Sequence, residues 1–289
     1  RGLIFKASGQ NGWMNSHSQV PTPLLLDKVI RIYFSTRVKN NESKISFLDV
    51  KKDNPNDIVS IHNMPILEKG KPGTFDEHGL MPSAIYKHKD NNYYLYYSGW
   101  SRRTSVPYSN LTGVAKSSDG IRFDRIFDGP ILSINNKEPY SATSPCIYKK
   151  NEEFFMYYCS GTNWIKINRK YEHTYDIKLA VSNNGINWIQ NGKSVILQKN
   201  DSEAITRPSI IEINNLYYMF YCYRGSKDFR GGADSYRIGY AVSQDMLNWE
   251  RVDNVEFSES ESESETEWDR YMMAYPSIIN VEDKIYMFY

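Results

Sequence analysis

The sequence predicts an all-β fold, a five-bladed β-propeller with four-stranded blades around a central channel. Three observations predict it. A proline followed by a small or apolar residue and a short apolar run recurs as VPTPLLL, MPSAIY, SPCIYK, RPSIIE and YPSIIN, with Pro21, Pro82, Pro145, Pro208 and Pro276 spaced 61, 63, 63 and 68 residues apart. A polar turn and then an aromatic strand follow each proline: IRIYFSTR, YYLYYSGW, FFMYYCSG, LYYMFYCYR and IYMFY. A third layer repeats as an apolar strand, a turn and an aromatic in LTGVAKSSDGIRF, IKLAVSNNGINW and RIGYAVSQDMLNW. A recurring unit of about 60 residues with four short strands is one propeller blade.

Proline suits the first residue of a strand because it has no N–H to give to the ladder. The repeat divides one domain, 1–289, into blades at about 14–60, 75–128, 138–196, 201–256 and 268–289. Blade one has a weaker third strand, KISFLDV. Blade five reaches Tyr289 in its second strand, so missing strands or residues 1–13 are expected to complete it. The acidic run 257–267 (FSESESESETE) reads as a mobile loop between blades four and five, because like charges at that density repel and stay solvated.

Hydrophobic residues make up 40% of the 289, enough for a core, and the aromatic share of 14% favours strands. A formal net charge of +1 supplies no global field toward nucleic acid or an anionic membrane. No apolar run approaches the ~20 residues of a membrane span, so the chain reads as soluble. Cys146, Cys159 and Cys222 lie in hydrophobic runs, outside any zinc-type spacing. They read as small buried hydrophobes in a reducing, cytoplasmic compartment, although RGLIFKASG without an initiator Met leaves a trimmed secretion signal open. No cofactor and no metal are expected.

In such a ring the residues before each repeated proline meet, at one channel mouth, those that follow each aromatic strand. Glu77 and Glu203 both fall five residues before their proline, His17 and His78 both fall four before, and Asp76 adjoins Glu77. Two carboxylates facing one pocket are the minimum for glycoside hydrolysis. Glu203 is therefore the candidate acid, with Glu77 or Asp76 as base or nucleophile. His17, His78, Arg207, Arg37, Arg224, Trp100, Trp164 and Tyr275 are the candidate substrate-binding side chains. Trp100 and Trp164 fit a stacking platform or loop anchors. Arginines in the long segments after the aromatic strands form a basic rim suited to an acidic or phosphorylated sugar. The competing readings are an architectural ion network, with Glu203 against Arg207, and a divalent metal held by the histidines.

GWMN near the start, the SSDGIRF-type turns and RPSII resemble the five-bladed propeller glycosidases, the arabinanases, β-xylosidases and invertases of glycoside hydrolase families 43 and 32. HSQVP, GTFDEHGLMPS, RIGYA and the SGW segment are similar to a bacterial branch found among polysaccharide-biosynthesis genes and to the N-terminal domain of plant glucosamine inositolphosphorylceramide transferases. The resemblance implies a propeller acting on a glycoside or glycoconjugate, by hydrolysis or transfer. Its motifs also depart from those families. Asn15 is followed by Ser16 and His17 where an Asp is expected, Ser144 or Met81 stands in place of a second Asp, and Glu203 fits the acid only with a local shift. These departures leave open a non-catalytic carbohydrate-binding or scaffold propeller.

Overall fold

A computed structural model describes residues 2–252, 269 and 271–289, with eighteen strands and no helix among them. Blade one holds β1 (Ser16–Leu25), β2 (Val29–Arg37), β3 (Ser43–Lys51) and β4 (Ile58–Ile61). Blade two holds β5 (Gly79–Lys87), β6 (Tyr93–Arg102), β7 (Tyr108–Ser117) and β8 (Asp124–Arg125). Blade three holds β9 (Ala142–Lys150), β10 (Glu153–Ile167), β11 (Lys170–Ser182) and β12 (Ile189–Ile196). Blade four holds β13 (Ala204–Ile213), β14 (Leu216–Arg224), β15 (Arg237–Ser243) and β16 (Glu250–Val252); blade five holds β17 (Ser277–Val281) and β18 (Lys284–Phe288). Each blade is an antiparallel meander, and the inner strands β1, β5, β9, β13 and β17 neighbour one another in succession, with β17 returning to β1. The ring closes. The acidic run 257–267 lies outside the described residues.

The hydrophobic core is divided among the faces between blades. Tyr33 and Phe47 of blade one pack with Leu95 and Tyr97 of blade two, and Tyr157 and Ile177 of blade three pack with Met219 and Tyr221 of blade four. Phe5, Ala7 and Met14 pack with Phe34 of blade one and with Val281 and Phe288 of blade five. The N-terminal segment thus joins blade five through side-chain packing.

Three polar devices repeat from blade to blade. The first sits at the repeated proline. The preceding residue has a positive φ at Val20 (59°), Ser144 (51°), Arg207 (60°) and Tyr275 (63°), and the inner-strand register shifts at this point in blades one to four. Such a bulge strains a non-glycine residue by about 1–3 kcal/mol and takes its N–H out of the ladder. The blade before receives that N–H: Ser144 N donates to Ser98 Oγ at 2.9 Å, Arg207 N to Cys159 Sγ at 3.2 Å, and Tyr275 N to Cys222 Sγ at 3.2 Å. Cys159 and Cys222 are buried and free, as the sequence predicts, and they also serve as hydrogen-bond acceptors.

The second device is the turn after the third strand. Asp119, Asn184 and Asp245 each accept two backbone N–H groups of their own turn, and a left-handed residue (Gly120, Gly185 or Met246) presents its carbonyl to a tyrosine of the blade before. The donors are Tyr33 (2.6 Å), Tyr96 (2.9 Å) and Tyr157 (2.6 Å).

The third device is a buried acid ahead of the inner strand. Asp76 accepts from Arg125 at 2.6 Å and Tyr97 at 3.1 Å, and Glu203 takes a bidentate bond from Arg251 with both distances 2.9 Å. In blade three Gln190 replaces the arginine at the matching place, two residues after the turn aromatic. There Glu138 is served by Tyr158 (2.9 Å), Gln190 (3.3 Å) and Lys178 (4.0 Å). In blade five Tyr289 donates to Asp269 at 2.6 Å.

Removing one partner of a buried ion pair strands the other charge. Glu203→Gln is expected to cost about 3 kcal/mol of unfolding free energy, and adding Arg251→Met is expected to restore part of that loss. Urea unfolding of the two variants beside the parent chain checks both.

Candidate functional site

The inner strands open onto a cavity of about 580 Å³ on the ring axis. Its lining includes Gln19, Val20, Met81, Thr143, Ser144, Thr206 and Tyr275, which lie within two residues of the repeated prolines. The bulge at each proline brings these residues to a single opening. Side chains from the ends of the second strands and from the segments beyond them form the walls: Arg37, Trp100, Arg102, Tyr108, Glu172, Arg224, Phe229, Arg230 and Tyr236.

One wall joins blades one and two. Trp100 donates its indole N–H to Ser43 Oγ at 2.7 Å, and the Arg37 guanidinium lies 5.2 Å from the Trp100 ring centroid. Gly79 leaves room for this, since a Cβ there collides with Ser43 Oγ and Trp100 Nε1. The opposite wall comes from blades three and four. The long segment after the third aromatic strand, SGTNWIKINRKYEHTYD, is a hairpin in which β10 and β11 pair as far as Ile167 and Lys170 and turn at Asn168 and Arg169, both with positive φ. That hairpin places Glu172, His173 and Tyr175. Glu172 is held by Arg230 through two bonds of 2.9 and 3.2 Å. Arg224 stacks 3.7 Å from the Phe229 centroid and donates to Tyr236 Oη, Gly225 O and His173 O. Tyr108 and Tyr175 share a hydroxyl contact of 2.8 Å.

Of the residues proposed from sequence, Arg37, Arg224, Trp100 and Tyr275 line the cavity. Glu203, Asp76 and Glu77 do not. Asp76 and Glu203 are paired with the arginine of their own blade's last strand, Arg125 and Arg251, and Glu77 accepts the Gly73 N–H at 2.8 Å. The partner of Glu203 is Arg251; the expected Arg207 turns the other way. Arg207 is 1% exposed and crosses the axis, bonding Pro21 O and Thr22 Oγ1 of blade one and Ser83 O of blade two. Burial lowers its pKa to about 10. His17 is exposed and bonded to Ser16, while His78 packs on Trp100 and accepts the Arg102 N–H, so both flank the wall from outside the lining. Trp164 lies behind the lining, stacked on His173 with centroids 4.0 Å apart, in the role of an anchor. Glu172 escaped the sequence reading because it precedes no repeated proline; the signal for it was the charged, aromatic run YEHTYD. Among the described residues no group of three or more His, Cys, Asp or Glu side chains is placed to hold a metal ion, and no helix is long and apolar enough to cross a membrane.

Comparison with known proteins follows the same geometry. Across its whole length the chain is 31% identical to an uncharacterized protein of Mycobacterium tuberculosis (strain CDC 1551 / Oshkosh), 92% of which it spans. It belongs to that protein's family. Residues 166–289 match the family model described as beta-1,4-mannooligosaccharide phosphorylase. Over 44% of its length it is 30% identical to a beta-1,2-mannobiose phosphorylase of Thermoanaerobacter sp. (strain X514), covering 44% of that enzyme. Among solved structures, one from work on glycoside hydrolases of the GH130 mannoside phosphorylase family superposes with a TM-score of 0.72 at 14% identity, covering 99% of this chain and 87% of its own. A thermostable family-43 glycoside hydrolase gives 0.63 at 16% identity, covering 86% and 80%. The propeller read from the sequence is the observed fold.

His173 offers a check on the wall. Burial, and then the charge of Arg224, lower its pKa to about 3 from 6.5. The folded chain keeps the imidazole neutral while the unfolded chain takes up a proton below 6.5, so stability falls as pH drops through that window. The loss is roughly 2–3 kcal/mol between about pH 6 and pH 4. His173→Gln is expected to remove this increment, measured as the difference between the two pH profiles of unfolding free energy.

Proposed function

We propose that the chain is a carbohydrate-active enzyme that processes a β-mannoside or related glycoconjugate in the axial cavity, with an anionic group taking part. The reading is carried by the lining itself, in which, among the described residues, one carboxylate, Glu172, stands with four arginines. Hydrolysis by protein groups calls for two carboxylates about the scissile bond. With one, the attacking group must come from outside the chain, and a phosphate ion suits a basic cavity. In that reaction the bond between the anomeric carbon and the glycosidic oxygen breaks, a phosphate oxygen bonds to the carbon, and the leaving oxygen takes a proton from Glu172 in its acid form. Arg230, exposed and stacked on Phe229, must first release Glu172. The mannoside phosphorylases among the partial relatives favour this substrate class. A sugar bearing its own acidic or phosphate group is the other source of the anion, and transfer to an acceptor other than water is compatible with the same site. Free thiols at Cys159 and Cys222 suit a reducing, cytoplasmic setting.

A second reading, carbohydrate binding without turnover, is favoured by the engagement of both Glu172 oxygens with Arg230. Incubating the chain with β-1,2-mannobiose, with and without inorganic phosphate, separates the readings. Phosphate-dependent appearance of mannose 1-phosphate by phosphorus NMR is expected, with Glu172→Gln at least ~100-fold slower and sugar binding retained. Release of mannose that is indifferent to phosphate marks hydrolysis, and binding with no product marks a binding module.

A further inference from the structure

The arginines of the cavity are not equivalent. Arg230 is occupied by Glu172, Arg224 donates to four oxygens, and Arg207 is buried outside the lining. Arg37 and Arg102 differ. They end β2 and β6, and both rest on one turn: Arg37 Nη1 donates to Asn41 O at 3.0 Å and Arg102 Nη2 to Asn40 O at 3.2 Å. Two guanidinium groups are thus held on adjacent carbonyls, each spending one side-chain hydrogen bond. Among the described residues neither has a carboxylate within ion-pair distance. The acids nearby in sequence are engaged, Glu42 by Lys69 at 2.6 Å and Glu77 by Gly73 N–H and His78. An anion bound between the two guanidinium groups pairs with both. The unused N–H groups form the fork that fits a phosphate or a carboxylate. Trp100 beneath Arg37 fixes that side of the fork.

The turn and Arg102 are exposed, so this pair sits at the rim, whereas Glu172 stands on β11 of the other wall. A group that reacts at the anomeric carbon must lie close to the acid and to the sugar ring. A group held at the rim belongs to another part of the substrate. We propose that Arg37 and Arg102 form a subsite for a phosphate or carboxylate covalently carried by the glycoside, remote from the bond being processed. The inference rests on the glycoside reading of the cavity and names the substrate class: a charged sugar or glycoconjugate.

Calorimetric titration of the full chain with mannose, mannose 6-phosphate, mannuronate and inorganic phosphate tests this. One charged sugar is expected to bind at least ~10-fold more tightly than mannose, and which of the two does so distinguishes phosphate from carboxylate. Arg37→Gln and Arg102→Gln are each expected to remove most of that advantage, read in each variant as the ratio of charged-sugar to mannose affinity. Equal binding of charged and neutral sugars, or an advantage that survives in both variants, overturns the proposal. So does inorganic phosphate binding as tightly as the preferred charged sugar and competing with it, since the subsite then takes the free ion. Failure of the enzymatic reading looks different, with the charged-sugar preference intact and no product formed. Turnover of neutral mannobiose without any charged preference sinks this subsite alone.

Discussion

The ring depends on the hydrogen bonds that the proline bulges of blades three, four and five send to the blade before. The bulge holds Val20, Ser144, Arg207 and Tyr275 in a backbone region that non-glycine residues avoid, and it takes their N–H groups out of their own strands. Ser98, Cys159 and Cys222 accept those N–H groups for Ser144, Arg207 and Tyr275, so strain inside one blade is relieved by contact with the next. The same displacement turns the residues around each proline toward the axis. The cavity is therefore a by-product of blade joining, and its floor is as rigid as the joints.

Buried charge follows the same division of labour. Asp76 and Glu203 pair with Arg125 and Arg251 between strands of their own blades, outside the cavity lining, which makes each blade edge depend on its own acid. Blade three departs from the pattern. With Gln190 in place of the arginine, Glu138 relies on Tyr158, Ser160 and Lys178, and Asp176 nearby has its pKa raised by burial. That blade also sends out the long hairpin that carries Glu172 to the cavity. Arg207 is a further exception, a cation satisfied by carbonyls and a hydroxyl of two other blades, and it ties three inner strands across the axis. A guanidinium suits this position because it keeps its charge even when buried.

The cavity combines aromatic faces with an excess of arginines, a combination that holds sugar rings by stacking and anionic groups by forks. Among the described residues its lining carries one carboxylate, Glu172, paired with Arg230. A propeller hosts whatever chemistry its mouth carries, so the lining and not the fold sets the reaction.

The sequence by itself determined the propeller, the five inner strands and the residues that surround the channel mouth, because proline, turn and aromatic positions are local signals repeated at a fixed spacing. It also marked Arg37, Arg224, Trp100 and Tyr275, which line the cavity. Only the tertiary structure decided which charges are free. Glu203 and Glu172 each take two bonds from an arginine, 48 and 58 residues away, and what separates them is that the Arg251 side chain is 13% exposed and the Arg230 side chain, at the cavity, 70%. Spacing records where a side chain starts. Whether its charge is spent depends on neighbours that meet only when the ring has closed.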